Sequence, residues 1–432
     1  MTDAVATYDL VGIGIGPFNL SLAALADETP EVDALFLDDN PEFSWHSGML
    51  LDGTTLQVPF LADLVTLVDP TNRWSFLSYL RAHERLFPFY FFERFEVPRR
   101  EYDDYCRWVA SSLPSCRFGN RVESVDRDGD LLTVTYTDLA SGRRAQVVAR
   151  NVVLGIGTAP TTPGAFDDVL GKRVFHSADY RHNAGALEGA RDVTVVGSGQ
   201  SGAEVFLDLL RQQADTGARL RWLTRSPAFA PMEYSKLGLE HFTPDYTRYF
   251  RGLPAGTRNG LFPAQWQLYK AISADTIAQI YDLLYERSVA APRPQATLSP
   301  NVAVQRAEAH GDGFRLTCRE TLQEQQFTVE TDAVVLATGY RAREPAVLAP
   351  VRDLLDTDGD GRLQVDGDYR VATRPGLAAG LYVQNAELHT HGVGTPDLGL
   401  GAWRAATILN AVTGRTVHAL PDRTAFTTFG VA

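Results

Sequence analysis

At 432 residues, 44% hydrophobic and 22% charged, the chain has the balance of a globular protein and exceeds what one core usually serves, so two or three domains are expected. A net charge of −13 with no compensating basic block argues against nucleic acid and anionic membrane surfaces as partners and suits a small cation better. Cys106, Cys116 and Cys318 lack the paired spacing of a redox disulfide or a zinc site, which favours a reducing cytoplasm. The acidic start, Met1-Thr-Asp-Ala, has neither a leader's basic region nor a membrane span behind it.

Residues 8–11 read as a buried strand, 12–17 as its turn and 18–26 as the following helix. The turn, Val11-Gly12-Ile13-Gly14-Ile15-Gly16-Pro17, is of dinucleotide type, with Pro17 in place of the third glycine. Such a turn lets backbone amides and the positive helix start approach a pyrophosphate. A second strand over 34–37 ends at Asp38, where an acid accepts hydrogen bonds from a ribose diol.

Residues 71–95 are aromatic and helix-like, and 101–111 form an amphipathic helix. The run Phe87-Pro-Phe-Tyr-Phe-Phe92 reads as core or interface rather than as a cofactor site. Residues 119–150 alternate as hairpin strands with turns at Asp128-Gly129 and Ser141-Gly142, and 151–158 return to a buried strand with a glycine exit.

A second turn, Val196-Gly197-Ser198-Gly199-Gln200-Ser201-Gly202, follows the strand at 193–196 and opens a helix over 201–211. The next strand, 220–224, is followed by Arg225 rather than an acid. A cation there pairs with a 2′-phosphate, so NADPH is favoured over NADH, although a solvated strand-end charge reads the same way. Two such turns imply two nucleotides, and a flavin dinucleotide held against a nicotinamide dinucleotide is the pairing they suit.

Residues 231–289 carry helical, tyrosine-rich pattern and read as an insertion closing over the substrate. Asp332-Ala-Val-Val-Leu-Ala-Thr-Gly-Tyr340 is a further buried strand, Leu381-Tyr-Val-Gln-Asn385 another, and 403–412 the last helix. The expected fold class is α/β, with two Rossmann-like domains and a small helical substrate-binding insertion. An FAD domain over 1–165 and 330–432 is split around an NADPH domain over 166–230 and 290–329, which the insertion 231–289 interrupts.

Six segments carry a resemblance that runs in order along the chain: Gly-Ile-Gly-Pro-Phe-Asn19, Phe43-Ser-Trp-His46-Ser-Gly-Met49, Leu56-Gln57-Val-Pro-Phe-Leu-Ala-Asp-Leu-Val65, Gly197-Ser-Gly-Gln-Ser-Gly202, Ala337-Thr-Gly-Tyr340 and Thr390-His-Gly392. With them the chain resembles the siderophore amine N-hydroxylases, the lysine, ornithine and diamine N-monooxygenases. The resemblance implies FAD and NADPH as cofactors, O2 addition at flavin C4a and oxygen transfer to a primary amine. It also implies a homo-oligomer, a dimer or tetramer.

By motif position it implies FAD contacts at Gly12, Gly14, Gly16, Pro17 and Asp38, with Trp45, His46, Met49 and Gln57 near the isoalloxazine. Val122, Pro396, Asp397 and Leu398 fall on later flavin contacts. Gly197, Ser198, Gly199, Gln200, Ser201 and Arg225 fall on NADPH positions, and Lys270 faces the nicotinamide or the substrate. No acid–base side chain is assigned.

The substrate is read from departures. Where the amino-acid branch has a lysine for the substrate carboxylate, this chain has Ala62; Leu239 and Gly399 replace an asparagine and a serine of the ornithine enzymes. Three lost polar contacts point to a diamine, putrescine or cadaverine, because an unpartnered buried carboxylate costs several kcal/mol. Glu233 or Glu240 is the candidate holder of the far ammonium, against a plain reading as surface charges. The rival is lysine or ornithine bound through an arginine such as Arg73 or Arg248. His389 and His391, two apart, do not suggest a metal site.

Overall fold

The computed structural model describes residues 6–289, 295–343 and 345–431. The N-terminal residues 1–5, and 290–294 where the NADPH domain was expected to resume, lie outside the described residues.

Two five-stranded parallel sheets organise the chain. The first runs Gly380–Val383, Asn151–Leu154, Leu10–Ile13, Ala34–Leu37, Cys116–Arg117; the second runs Val174–His176, Ala333–Leu336, Asp192–Val196, Arg219–Leu223, Ala296–Ser299. In each, the strand that feeds a glycine turn is central, with Val11 paired to Val152 and Leu35, and Val195 to Val335 and Trp222. Central parallel strands are covered on both faces, which is why Leu10–Ile13 is buried throughout. The glycine-turn helices, Pro17–Asp27 and Gln200–Thr216, pack their apolar sides into the cores of the two units.

Each unit also carries a second sheet built on three antiparallel strands, to which the first unit adds Thr7–Tyr8, parallel to Arg144–Ala149. In the first they are Asn120–Asp128, Leu131–Asp138 and Arg144–Ala149, the hairpins read from the sequence. In the second they are Val302–His310, Gly313–Glu320 and Gln325–Thr331. The strands Thr158–Pro160 and Tyr340–Ala342 pair antiparallel where the chain passes between the units.

Two expected boundaries are corrected. The strand Ala333–Leu336 belongs to the second sheet, so the return to the first unit comes after it and not at 330. Four buried aliphatic residues suit either sheet, and periodicity carries no information about which neighbour pairs with them. Likewise the helix Ala274–Ser288 is not part of the insertion. It connects the parallel strands Arg219–Leu223 and Ala296–Ser299, packing Ile277, Ile280 and Leu284 into the second core. The insertion proper is the run of helices from Lys236–Leu239 to Trp266–Tyr269.

The aromatic run forms the helix Leu86–Phe92, none of whose residues is buried, with Phe87 78%, Tyr90 71% and Phe91 73% exposed. The core reading of that run therefore fails for these side chains, while Phe89 packs on the first core. Among the described residues no helix is long and apolar enough to cross a membrane.

Candidate active site

The first glycine turn is shaped by contacts that no other residue tolerates. A Cβ on Gly12 would lie 2.1 Å from the Phe36 ring, and Gly14, at φ +85°, would put one 2.6 Å from the Gly155 carbonyl. A Cβ on Gly16 would meet nothing within 4 Å, so the turn opens there onto free space. Gly16 caps the helix without a side-chain hydrogen bond, Pro17 begins it, and its first turn has no acid. Its leading amides are left for an anion.

Asp38 stands beside this turn and accepts from the Ile15 amide at 2.7 Å and the Asn40 amide at 2.8 Å. Sequence reasoning gave Asn19 no role in the site. Buried, it donates to Gly14 O at 2.8 Å and accepts from Gln384 Nε2 at 2.7 Å, tying the turn to the strand end at Val383. Gly155 has to be glycine to admit it, because a Cβ there would lie 2.5 Å from the Asn19 amide. Asn19 thus does the close-packing work of the absent third glycine.

The second turn uses all three glycines. Gly197, at φ +126°, would place a Cβ 2.0 Å from Ala337 O, and Gly202 one 2.5 Å from Gly197 O. Gly199 caps the helix Gln200–Thr216, again with no side-chain cap and no acid in the first turn. Ser198 is engaged with Ser226 at 2.9 Å, and Ser201 lies in the first turn of the helix. Arg225 is exposed two residues beyond its strand.

Lys270, expected to face the nicotinamide or the substrate, lies beside the second turn. Its carbonyl lies 3.3 Å from a Cβ built on Gly199, and burial, with the positive charge of Arg225 second, lowers its pKa. Its ammonium lies over the rings of Tyr269, at 5.2 Å, and Phe262, at 5.9 Å, within electrostatic reach of Arg225, so two positive charges stand near each other beside the second turn. Gln200 differs from expectation too, since its side chain is spent on Thr276 Oγ1 at 3.0 Å, Glu204 at 2.9 Å and the Ser273 amide at 2.8 Å. Only its backbone is left for a nucleotide.

Residues 45–57 bridge the two units, with Trp45 and Leu56 on the first core and Met49 and Leu51 on the second. Trp45 is held by Asp103 through its amide at 2.7 Å and packs edge-on to His46 at 4.8 Å. His46 adopts φ 52° and packs 6.1 Å from Tyr340. Solvent reaches the His46 side chain, yet protein surrounds it, and that desolvation, with Arg99 second, holds its pKa at about 4. Solvent-accessible and deeply surrounded together describe the wall of an internal cleft. Met49 is buried against the second core, and its carbonyl accepts from Arg99, which pairs with Glu204 at 2.7 Å. That largely buried pair joins the two units, and no local pattern in the sequence signals it.

Gln57 Nε2 is buried without a hydrogen-bond partner. An unsatisfied buried donor costs about 1–3 kcal/mol, so an acceptor such as a flavin carbonyl belongs opposite it. Val122 lies at the bulge in Asn120–Asp128. The open space at Gly16, the orphaned Gln57 donor and the paired cations at the second turn all fit FAD and NADPH.

The substrate residues divide. Ala62 is buried in a segment that Asp63 fixes by accepting from the amides of Val65, Thr66 and Phe76. A Cβ on Gly399 would lie 3.9 Å from Ala62 Cβ, so these two departures form one patch. Pro396 and Leu398 flank Asp397, whose Oδ1 accepts from the Gly399 amide at 2.7 Å. Leu239 is 40% exposed at the end of its helix. Glu233 is exposed and accepts from the Ser235 amide. Glu240 uses both oxygens on the amides of Phe426 and Thr427, at 2.9 and 2.8 Å, which holds the C-terminal segment in place.

A family model described as L-lysine 6-monooxygenase/L-ornithine 5-monooxygenase matches residues 6–342. The rhizobactin siderophore biosynthesis protein RhbE of Rhizobium meliloti is 46% identical, over 100% of this chain and 96% of its own. A putrescine N-hydroxylase of Shewanella oneidensis is 42% identical, over 98% of this chain and 84% of its own. The crystal structure of DfoA bound to FAD, the cadaverine monooxygenase of desferrioxamine biosynthesis in Erwinia amylovora, superposes with a TM-score of 0.95 at 38% identity over 99% of each chain. With the fold matched end to end and the sequence match spanning both glycine turns, the chain belongs to the L-lysine 6-monooxygenase/L-ornithine 5-monooxygenase family.

Proposed function

We propose that the protein is an FAD- and NADPH-dependent monooxygenase that N-hydroxylates putrescine or cadaverine with O2, for hydroxamate siderophore synthesis. The net reaction takes amine, O2, NADPH and a proton to N-hydroxyamine, water and NADP+. FAD and NADPH supply the electron transfer and oxygen activation. FAD would be held at the first turn by Gly12, Gly14, Gly16, Pro17 and Asp38, with the free Gln57 donor available to it, and NADPH at the second by the backbone of 197–201, Arg225 and Lys270.

The chain's own part is to bind, orient and exclude water. A primary amine has a pKa of about 10.4, so nitrogen offers its lone pair only where desolvation disfavours the ammonium. His46, held neutral by its surroundings, adds no positive charge to the cleft.

The single observation that carries the diamine reading is the patch of Ala62 and Gly399, where Ala62 stands in place of the lysine that would pair with an α-carboxylate. The two arginines named for the rival reading are already engaged. Arg73 is paired with Asp27 and Glu28, and Arg248 with Asp245 and the Asp422 carbonyl. The relatives named for putrescine and cadaverine support the same choice. The test is NADPH-dependent N-hydroxy product from putrescine, cadaverine, lysine and ornithine offered separately; product chiefly from either amino acid overturns the reading. A homo-oligomer, with the exposed face of Leu86–Phe92 as its contact, belongs to the proposal, and sedimentation of wild type and Phe91→Arg checks it.

A further inference from the structure

A diamine leaves one end unreacted, and that end is an ammonium that needs acceptors. Glu233 and Glu240 were the sequence candidates, but Glu240 is fully engaged with the C-terminal segment and Glu233 is an exposed turn cap. A different carboxylate, one that motif position had set among the flavin contacts, stands at the patch of Ala62 and Gly399 itself. Asp397 is surrounded by protein while its side chain stays partly open, the same combination that marks the cleft wall at His46. Oδ1 accepts from the Gly399 amide, and among the described residues Oδ2 has no hydrogen-bond donor.

Gly399 and Asp397 are coupled by space. A Cβ on Gly399 would lie 2.7 Å from Asp397 Oδ1, closer than any real contact, so the carboxylate occupies the room that a serine would take. The glycine is therefore more than a lost polar contact, because it admits a charge. Arg404, whose charge reaches Asp397, donates no hydrogen bond to it among the described residues. It is committed to Glu387 at 3.2 Å and to the Thr395 carbonyl at 2.7 Å. Tyr234 adds a second acceptor. Its hydroxyl is buried without a partner, and it lies within electrostatic reach of Asp397.

We infer that Asp397 is the specificity residue for the far end of the substrate: its free oxygen accepts the distal ammonium, the Tyr234 hydroxyl assists, and Ala62 and Gly399 leave the room. The inference rests on the diamine reading above and deepens it. It also gives that reading a repulsive element, since an α-carboxylate at this patch would meet an anion as well as lack a cation. Specificity here comes from one wall whose charge has the opposite sign to a carboxylate-binding one.

The test uses the flavin-loaded enzyme and two variants, Asp397→Asn and Tyr234→Phe. Substrates are putrescine and cadaverine, set against butylamine and pentylamine, which have the same lengths but no far ammonium. Losing a hydrogen-bonded charge partner corresponds to about 10- to 100-fold in KM, so Asp397→Asn is expected to raise KM for diamines by that factor. Monoamine KM should stay within about twofold, collapsing the diamine preference, and equilibrium dialysis of labelled putrescine should show the same loss without turnover. Tyr234→Phe is expected to give a smaller loss in the same direction.

Unchanged diamine binding in Asp397→Asn, an equal loss for monoamines, or loss of bound flavin each overturns the inference. An unchanged Tyr234→Phe removes the assisting role. A wild-type enzyme that hydroxylates no diamine overturns the underlying reading instead, so the two failures are distinguishable.

Discussion

The two glycine turns sit on sheets of the same layout, yet they are finished differently. The first has Pro17 for its third glycine and relies on Asn19, a buried amide that knits the turn to two neighbouring strands, and it places Asp38 against the turn. The second keeps Gly202 for close helix packing, keeps no acid, and gathers Arg225 and Lys270. One backbone device thus serves two ligands, and the side chains at its rim choose between them. An acid recognises a ribose diol, and paired cations recognise an added phosphate.

Breaking either turn should leave the other intact. The largest effect is expected for Gly16→Ala. The protein has room for the methyl, so melting temperature should be unchanged, but the group enters the space an approaching pyrophosphate needs, and bound flavin should be lost on purification. Gly199→Ala should keep its flavin and lose NADPH-driven reduction. Flavin lost from both variants, or from neither, would break the comparison.

Next in size is Arg225→Ala. Removing a charge-assisted phosphate contact is worth about 1.5–3 kcal/mol, so KM for NADPH should rise about 10- to 100-fold while KM for NADH barely moves. Equal effects on both coenzymes would show that Arg225 does not read the phosphate. Asn19→Ala should destabilise the first unit, leaving Gly14 O and Gln384 Nε2 unpartnered at about 1–3 kcal/mol each. Thermal unfolding of the flavin-loaded enzyme measures this.

The smallest expected effect is on pH. Burial pushes the Asp397 carboxyl up to about 6, against the opposing Gly399 amide and Arg404 charge, with the neutral Tyr234 hydroxyl also within range. Below that value the acid is protonated and no longer attracts an ammonium, so KM for putrescine should climb as pH falls from 7 to about 5. Monoamine KM should lack this added dependence.

Local pattern carried most of the fold. Leu10–Ile13 and Asp192–Val196 announce themselves as buried strands because each is a short aliphatic run closed by glycine. What local pattern does not carry is partnership. Ala333–Leu336 and Ala274–Ser288 were assigned the right kind of element and the wrong neighbours, since their partners, among them Val174–His176 and Gln200–Thr216, lie far outside any local window. The same limit governed the site. Ala62 and Gly399 were readable one at a time as departures from a motif, but their contact, and the carboxylate beside them, exist only once the chain is folded.

Anaerobic mixing of the FAD-loaded protein with NADPH, followed by air and cadaverine, tests the central claim most directly. The account predicts that NADPH bleaches the flavin far faster than NADH, and that reoxidation then yields N-hydroxycadaverine. Equal bleaching by the two coenzymes, or reoxidation that leaves the diamine unchanged, would contradict it.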